Sequence, residues 1–379
     1  MELDLAILPD YLRRRHAEIG IFESETKLRI EEIGDGNLNT VYRVSDAMNP
    51  KRSIVLKHAP PYIKILGPEY PLSIERLTYE SRALDIYNHF ARGTVPELYD
   101  FDAENATIAM EDLRDAQLLR ADLIAGRVDT AIAEQIGRFM GAVHSHTYIE
   151  NLDSTTAQLY RQQFANTTMQ SITADYVFTF PYTEHETNFW TPGLEPNVQR
   201  LKADTDFLQQ AEDLKQIFLT AQQAVTHGDF HTGSVLVQNN TAKVIDAEFA
   251  FYGPVGFDLG LYWANYFLSY FSHQGTVGVQ SALKAAIAET WHTYTLEFRT
   301  IDGALKERTL QQIFHEAVGF AGLEMLRRLV GAAHVKDIEG ITDISRKLRV
   351  ERAALRFGST LVKQYQSLRD VSAVLAMLF

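Results

Sequence analysis

The prevailing spacing of apolar residues shifts from strand-like to helical near Leu113, and that shift restricts the fold more than any other feature. Before it, LRIEEI (28–33), TVYRVS (40–45) and RSIVLKH (52–58) alternate as strands do, and GDGNLN lies as a turn between the first two. Pro60, Pro61, Pro68 and Pro71 make PPYIKILGPEYPLS a loop, after which a helix is expected from Ile74 to Phe90. Strand candidates follow at Glu97–Asp102 and Ala106–Glu111, and a stripe of Leu5, Leu8, Leu12 and Ile19 predicts a short helix in residues 1–20. Beyond Leu113 the spacing becomes helical, at Thr130–His144, at Ala203–Ala221 and from Val279 to the end. The expected architecture is α+β, with a β-rich N-terminal lobe (1–112) and a mostly helical C-terminal lobe (113–379).

A chain of 379 residues is long enough for two such lobes, and 46% hydrophobic with 22% charged residues is the balance of a soluble enzyme. The net charge of −13 repels a phosphate backbone, so nucleic acid is not an expected partner. The chain contains no cysteine, which excludes disulfides, thiolate metal sites and cysteine nucleophiles and fits a reducing compartment. No apolar stretch approaches the roughly 20 residues of a membrane span, and the basic run in MELDLAILPDYLRRRH comes too late for a secretory signal. A cytoplasmic protein without a membrane partner is expected.

The densest chemical signal is VTHGDFHTGSVLV followed by KVIDAEFAF. Apolar segments 235–237 and 243–245 flank QNNTA, a ready hairpin turn, with Asp229 and Ser234 on its approach and Asp246, Ala247 and Glu248 at its exit. Hard carboxylate ligands of this kind hold the Mg²⁺ that accompanies nucleotide phosphates, and phosphoryl transfer needs one more carboxylate to orient the attacking hydroxyl. Alone, an Asp after Gly is a turn residue and a D-x-E is a solvated strand end; the conjunction at hairpin distance points to chemistry. His227 and His231, four apart, also suit a zinc site on a helix, but Gly228 and Gly233 argue for a loop that the histidines brace by backbone hydrogen bonds.

Upstream, Gly34 and Gly36 permit positive φ and close backbone approach to phosphate oxygens, although an Asp-Gly-Asn turn is also an ordinary hairpin. Lys57 lies in a strand among apolar residues, where an unpaired ammonium is costly, and Glu80 lies in the next helix at a remove that lets the two meet. Kinases hold phosphates with such a pair; an exposed edge lysine and a solvated glutamate are the alternative.

These residues resemble the methylthioribose kinase family, within the protein-kinase-like phosphotransferases that include aminoglycoside and choline kinases. The loop HGDFHTGS stands where the wider group has H-G-D-x-x-x-x-N, and Ser234, D-A-E at 246–248 and FAFYGPVGFDLG are similar to methylthioribose kinases in particular. So are EEIGDGNLNTVYRV (31–44), IVLKHAPPYI (54–63), PLSIERLTYES (71–81), MEDL (110–113), FPYTEHETN (180–188) and EMLRRLVGAAHV (324–335). Two departures are Tyr79, just before the helix glutamate, and Pro60, where a larger apolar residue is common. The resemblance implies a protein-kinase-like bilobal fold, ATP and Mg²⁺ as cofactors, a small sugar substrate and a homodimer. ATP is expected at Gly34, Gly36, Asn37, Asn39, Lys57, Glu80, Asp246, Ala247 and Glu248. Adenine is expected at the backbone of Met110, Glu111, Asp112 and Leu113, which otherwise reads as an ordinary strand-to-helix junction. Asp229 is the expected catalytic residue, and Asp246, Glu248 and Ser234 are the expected metal ligands.

Arg327 and Arg328 sit in an otherwise largely apolar helical stretch, where adjacent arginines are commonly surface residues. The resemblance places them with Asp229 at the sugar. Guanidinium groups suit ribose hydroxyls and repel choline or an aminoglycoside. The implied reaction is phosphorylation of the 1-hydroxyl of 5-methylthioribose in methionine salvage. Competing readings are a kinase for another 5-modified ribose such as 5-deoxyribose, another small-molecule phosphotransferase, or a catalytically dead nucleotide-binding scaffold.

Overall fold

The computed structural model describes residues 3–34, 36, 38–301 and 306–378. The chain forms two compact units, the first of residues 1–116 with 243–249, the second of 117–242 with 250–379. The short segment 243–249, which sequence alone assigns to the C-terminal lobe, therefore packs with the N-terminal unit.

The first unit opens with α1 (Leu8–Arg14) and α2 (His16–Ile19), so the expected N-terminal helix is broken at Arg15. Strands β1 (Leu28–Glu32), β2 (Thr40–Asp46) and β3 (Ser53–His58) precede α3 (Arg76–Phe90), and β4 (Leu98–Asp102) and β5 (Thr107–Glu111) follow it. They form one antiparallel sheet in the order β1-β2-β3-β5-β4. The period of two sorts β3 cleanly. Ile54 and Leu56 join Leu8, Leu12 and Val44 in one core. Val55 packs on the other face with Ile108 and Leu77 of α3. Lys57 shares the parity of Val55 and so belongs to the face that α3 covers.

The second unit begins with β6 (Gln117–Leu118), α4 (Leu119–Ile124), α5 (Thr130–Thr147), α6 (Ser154–Gln163), α7 (Thr167–Thr173), α8 (Glu195–Ala203) and α9 (Thr205–Thr220). Asp129, Asp153 and Asp204 cap α5, α6 and α9 with side-chain oxygens on the first free amides. Then come β7 (Ala224–Thr226), β8 (Val235–Gln238), β9 (Thr241–Val244), whose last two residues are counted with the first unit, and β10 (Phe251–Gly253). Asn239 and Asn240 both have positive φ, the signature of a tight two-residue hairpin turn after β8. The rest is α10 (Gly256–Ser272), α11 (Val277–Phe298), α12 (Lys306–Val330), α13 (Lys336–Glu339), α14 (Ile344–Gln364) and α15 (Val371–Ala376). Helix α10 is buried on every side. Gly260 allows it to meet α12 closely, since a Cβ there would lie 2.7 Å from Phe320 Cβ and 2.8 Å from Ala317 O. Among the described residues no helix is long and apolar enough to cross a membrane.

Candidate active site

In the first unit the expected pair forms. Lys57 Nζ lies 2.7 Å from Glu80 Oε2 and 2.9 Å from Asp246 Oδ1, with Lys57 and Glu80 both buried. Burial opposes the Lys57 charge, and Asp246, Glu80 and Glu248 outweigh it, so its pKa is raised above the ordinary lysine range. Burial pushes Glu80 up to about 7 against the pull of Lys57. Asp246 adopts φ 64°, a left-handed conformation costly for a non-glycine residue, and its side chain is 52% exposed.

Glu248 is held differently. Its Oε2 accepts from Asn39 Nδ2 at 2.7 Å and lies 3.5 Å from Arg76 Nε. Arg76, one turn before Glu80 on α3, is buried and reads the turn around it: Nε donates to Asn39 Oδ1 (3.0 Å), one terminal nitrogen to Leu38 O (3.1 Å) and Pro60 O (2.8 Å), the other to Ser73 O (2.7 Å). Arg76 thus fixes the GDGNLN turn to α3. Sequence reasoning missed it, because its acceptors come from three separate segments; the signal was an arginine four residues before Glu80. Gly34 has φ 80°, as its turn position requires. Asn37 lies outside the described residues. Ala247 is buried in a single 3₁₀ turn between the two carboxylates.

Met110 is buried at the end of β5. Next to it the acidic side chains are committed: Glu111 pairs with Lys243, and Asp112 accepts from Arg43 (3.0 Å), Ser53 Oγ (2.8 Å) and Arg114 (2.6 Å). The acidic side chains of 110–113 are thus engaged within the protein; Leu113 follows, half-buried.

In the second unit Asp229 sits in a loop clamped from below. Asp258 of α10, itself buried, accepts from the amides of His227 (2.7 Å) and Gly228 (3.0 Å), and its Oδ2 lies 3.2 Å from His144 Nε2. Gly228 has φ 81°. The histidines act within the loop, as their glycine neighbours suggested: His227 Nδ1 accepts from the Asp229 amide (3.3 Å) and His231 Nδ1 from the Gly233 amide (3.1 Å). That bond leaves the His231 proton on Nε2, 3.6 Å from Asp229 Oδ2. Burial, and then Arg120 and Arg328, hold His231 well below its ordinary pKa and hence neutral. Ser234 Oγ lies 3.2 Å from Asp229 O and 3.0 Å from His231 Nδ1, so it would have to leave the loop's own bonds to reach a metal.

Arg327 and Arg328 converge on one carboxylate. Glu324, one turn earlier on α12, is fully buried, pairs with Arg327 and takes Arg328 Nε at 2.7 Å; the two cations outweigh burial and keep its pKa low. A terminal nitrogen of Arg327 reaches to 3.7 Å from Asp229 Oδ1, whereas Arg328 also donates to Ala333 O at 3.4 Å. Arg327 faces the loop of Asp229, and Arg328 is the brace. Glu324 was quoted only within a motif; i, i+3 and i, i+4 spacing to the two arginines was the signal for its role.

An amino-terminal antiparallel sheet with a strand-lysine and helix-glutamate pair, and a helical unit carrying an H-G-D loop, define a small-molecule phosphotransferase of the protein-kinase-like fold. The profile of the Phosphotransferase enzyme family matches residues 29–296. In fold the chain is similar to an ethanolamine kinase from Plasmodium vivax (TM-score 0.51, 12% identity, 94% of this chain and 89% of that one). It is also similar to a glucosamine kinase solved with glucosamine, ADP and inorganic phosphate (TM-score 0.50, 13% identity, 92% and 85%). Curated relatives are nearer in sequence: a methylthioribose kinase of Bacillus velezensis is 36% identical over 94% of this chain and 92% of its own, and one of Geobacillus sp. (strain WCH70) 37% identical over 94% and 91%. The chain belongs to the methylthioribose kinase family.

Proposed function

We propose that this protein transfers the γ-phosphate of ATP to the 1-hydroxyl of 5-methylthioribose, giving 5-methylthioribose 1-phosphate in methionine salvage, as a cytoplasmic homodimer. The observation that carries the reading is Arg327 aimed at Asp229 and fixed by a buried glutamate. An acidic or aromatic clamp is what an aminoalcohol or aminoglycoside needs, and an arginine clamp is what sugar hydroxyls need.

In this reading Lys57 and the glycine turn hold the phosphates, Glu80 orients Lys57, and the backbone of 110–113 takes the adenine. Asp229 orients the attacking hydroxyl and accepts its proton. Mg²⁺ fits the residues present, since three carboxylates (Glu80, Asp246 and Glu248) outnumber Lys57 and Arg76 and the most exposed of them is a hard oxygen ligand. Asp246 and Glu248 would hold it. Bound there, it would neutralise charge on the phosphates.

The test is ATP consumption by the purified protein with methylthioribose, 5-deoxyribose, ribose, choline and kanamycin as acceptors. Methylthioribose is expected to give the highest kcat/KM, and a preference for choline or kanamycin would overturn the reading.

A further inference from the structure

One buried carboxylate in the second unit has no evident work. Asp337 has a side chain only 2% exposed, and neither of its oxygens has a hydrogen-bond partner from another residue. Its nearest cation is Arg120, whose Nε lies 3.9 Å away and is itself buried without a partner. That gap is too long for a hydrogen bond. A hydrogen-bonded arginine–carboxylate pair lies at about 2.7–2.9 Å, as Arg328 and Glu324 do at 2.7 Å in the same unit.

Arg120 is not free to close it. A terminal nitrogen donates to Asn265 Oδ1 at 3.1 Å, and its backbone amide donates to Thr232 O at 3.0 Å. Its guanidinium lies against the loop that carries Asp229, since a Cβ on Gly233 would come within 3.1 Å of Arg120 Cζ. An N–H and a carboxylate, both buried and both unused, are thus held at a fixed separation beside the proposed reaction centre. One hydroxyl can accept from the first and donate to the second. Burial pushes Asp337 up to about 6, against the pull of Arg120, His273 and Arg328, as expected for a carboxylate missing its donors. The surroundings suit a neutral ligand: three arginines (120, 327, 328) face three carboxylates (Asp229, Glu324, Asp337).

We propose that Arg120 and Asp337 form a specificity contact for the sugar, binding a ring hydroxyl other than the one that is phosphorylated. This rests on the sugar-kinase reading above. A site built to bond a hydroxyl discriminates strongly against the analogue that lacks it, because its buried groups are then left unpaired.

The test compares wild type with Asp337→Asn on methylthioribose and on its 2-deoxy and 3-deoxy analogues, with melting temperatures measured with and without sugar. The variant is expected to raise KM for methylthioribose by about tenfold or more, with the larger part of the loss in KM rather than kcat and KM for ATP unmoved. Its melting temperature without sugar should equal or exceed that of wild type, while the rise on adding sugar should shrink. Wild type should discriminate against one deoxy analogue, and the variant should lose that discrimination. Unchanged KM, or a loss equal for all three sugars, overturns the proposal and leaves Asp337 a structural residue. If wild type prefers another sugar, the same deoxy comparison on that sugar decides the point, so the two readings fail separately.

Discussion

At the scale of single residues, the arginine pair divides its labour by direction, Arg327 reaching towards Asp229 and Arg328 towards Ala333 O. Adjacent residues on a helix diverge by about 100°, so identical roles were never available. Arg327→Lys is expected to raise KM for the sugar at least about tenfold, because one ammonium cannot hold Glu324 and reach Asp229 together. Arg328→Ala is expected to act on the fold instead, costing about 3 kcal/mol in chemical denaturation by leaving the buried Glu324 half-compensated. Equal thermal stability for the two variants would refute that division. Asp229→Asn keeps the shape of the loop residue, so kcat should fall by about 10²–10⁴ while the ATP dissociation constant stays unchanged. The sequence made Lys57, Glu80 and the arginines legible, because each sits in a local pattern that its charge contradicts. Arg76, Arg120 and Asp337 were not legible, since what defines them is a partner, or the lack of one, brought by a distant segment.

At the scale of elements, strands and half-exposed helices were readable and α10 was not. A helix in contact with protein on every side carries no polar stripe, so its periodicity vanishes; after Ala221 helical spacing is read again only from Val279, once α10 has ended. The same burial makes α10 the support of the reaction loop. Asp258→Asn replaces one of two amide-accepting oxygens with a donor, and a loss of about 2 kcal/mol is expected in denaturant titration, with a disproportionate fall in kcat as the loop loosens. Gly260→Ala tests the crossing with α12: a methyl group there meets backbone at 2.8 Å, so about 1–3 kcal/mol of destabilisation is expected. A melting temperature equal to that of wild type would show that the two helices are not locked at this point.

At the scale of the whole molecule, stability should fall on acidification in a way that His231 partly controls. Its native pKa lies well below the ordinary 6.5, so between those values the unfolded chain binds a proton that the native protein does not. Stability is therefore lost as pH drops below about 6.5, by at most about 1.4 kcal/mol per unit for this group. Asp337 runs the other way, its native value of about 6 lying above the ordinary 3.8, so its contribution is lost as pH rises towards 6. His231→Asn keeps an acceptor for the Gly233 amide and removes the proton site. The variant should lose less stability than wild type between pH 7 and pH 5, and parallel curves would exclude the histidine. The division of the chain into two units has a consequence for biosynthesis. The first unit counts residues 243–249 among its own. A ribosome that has released residues 1–116 has therefore delivered Lys57 and Glu80 without Asp246, the second carboxylate on the same ammonium. Roughly 130 further residues must emerge before that partner arrives, about 7–26 s at 5–20 residues per second. The N-terminal unit is thus begun first yet stays incomplete until residues 243–249 have emerged, and a nascent chain stalled before Asp246 carries a buried lysine with one counter-ion in place of two.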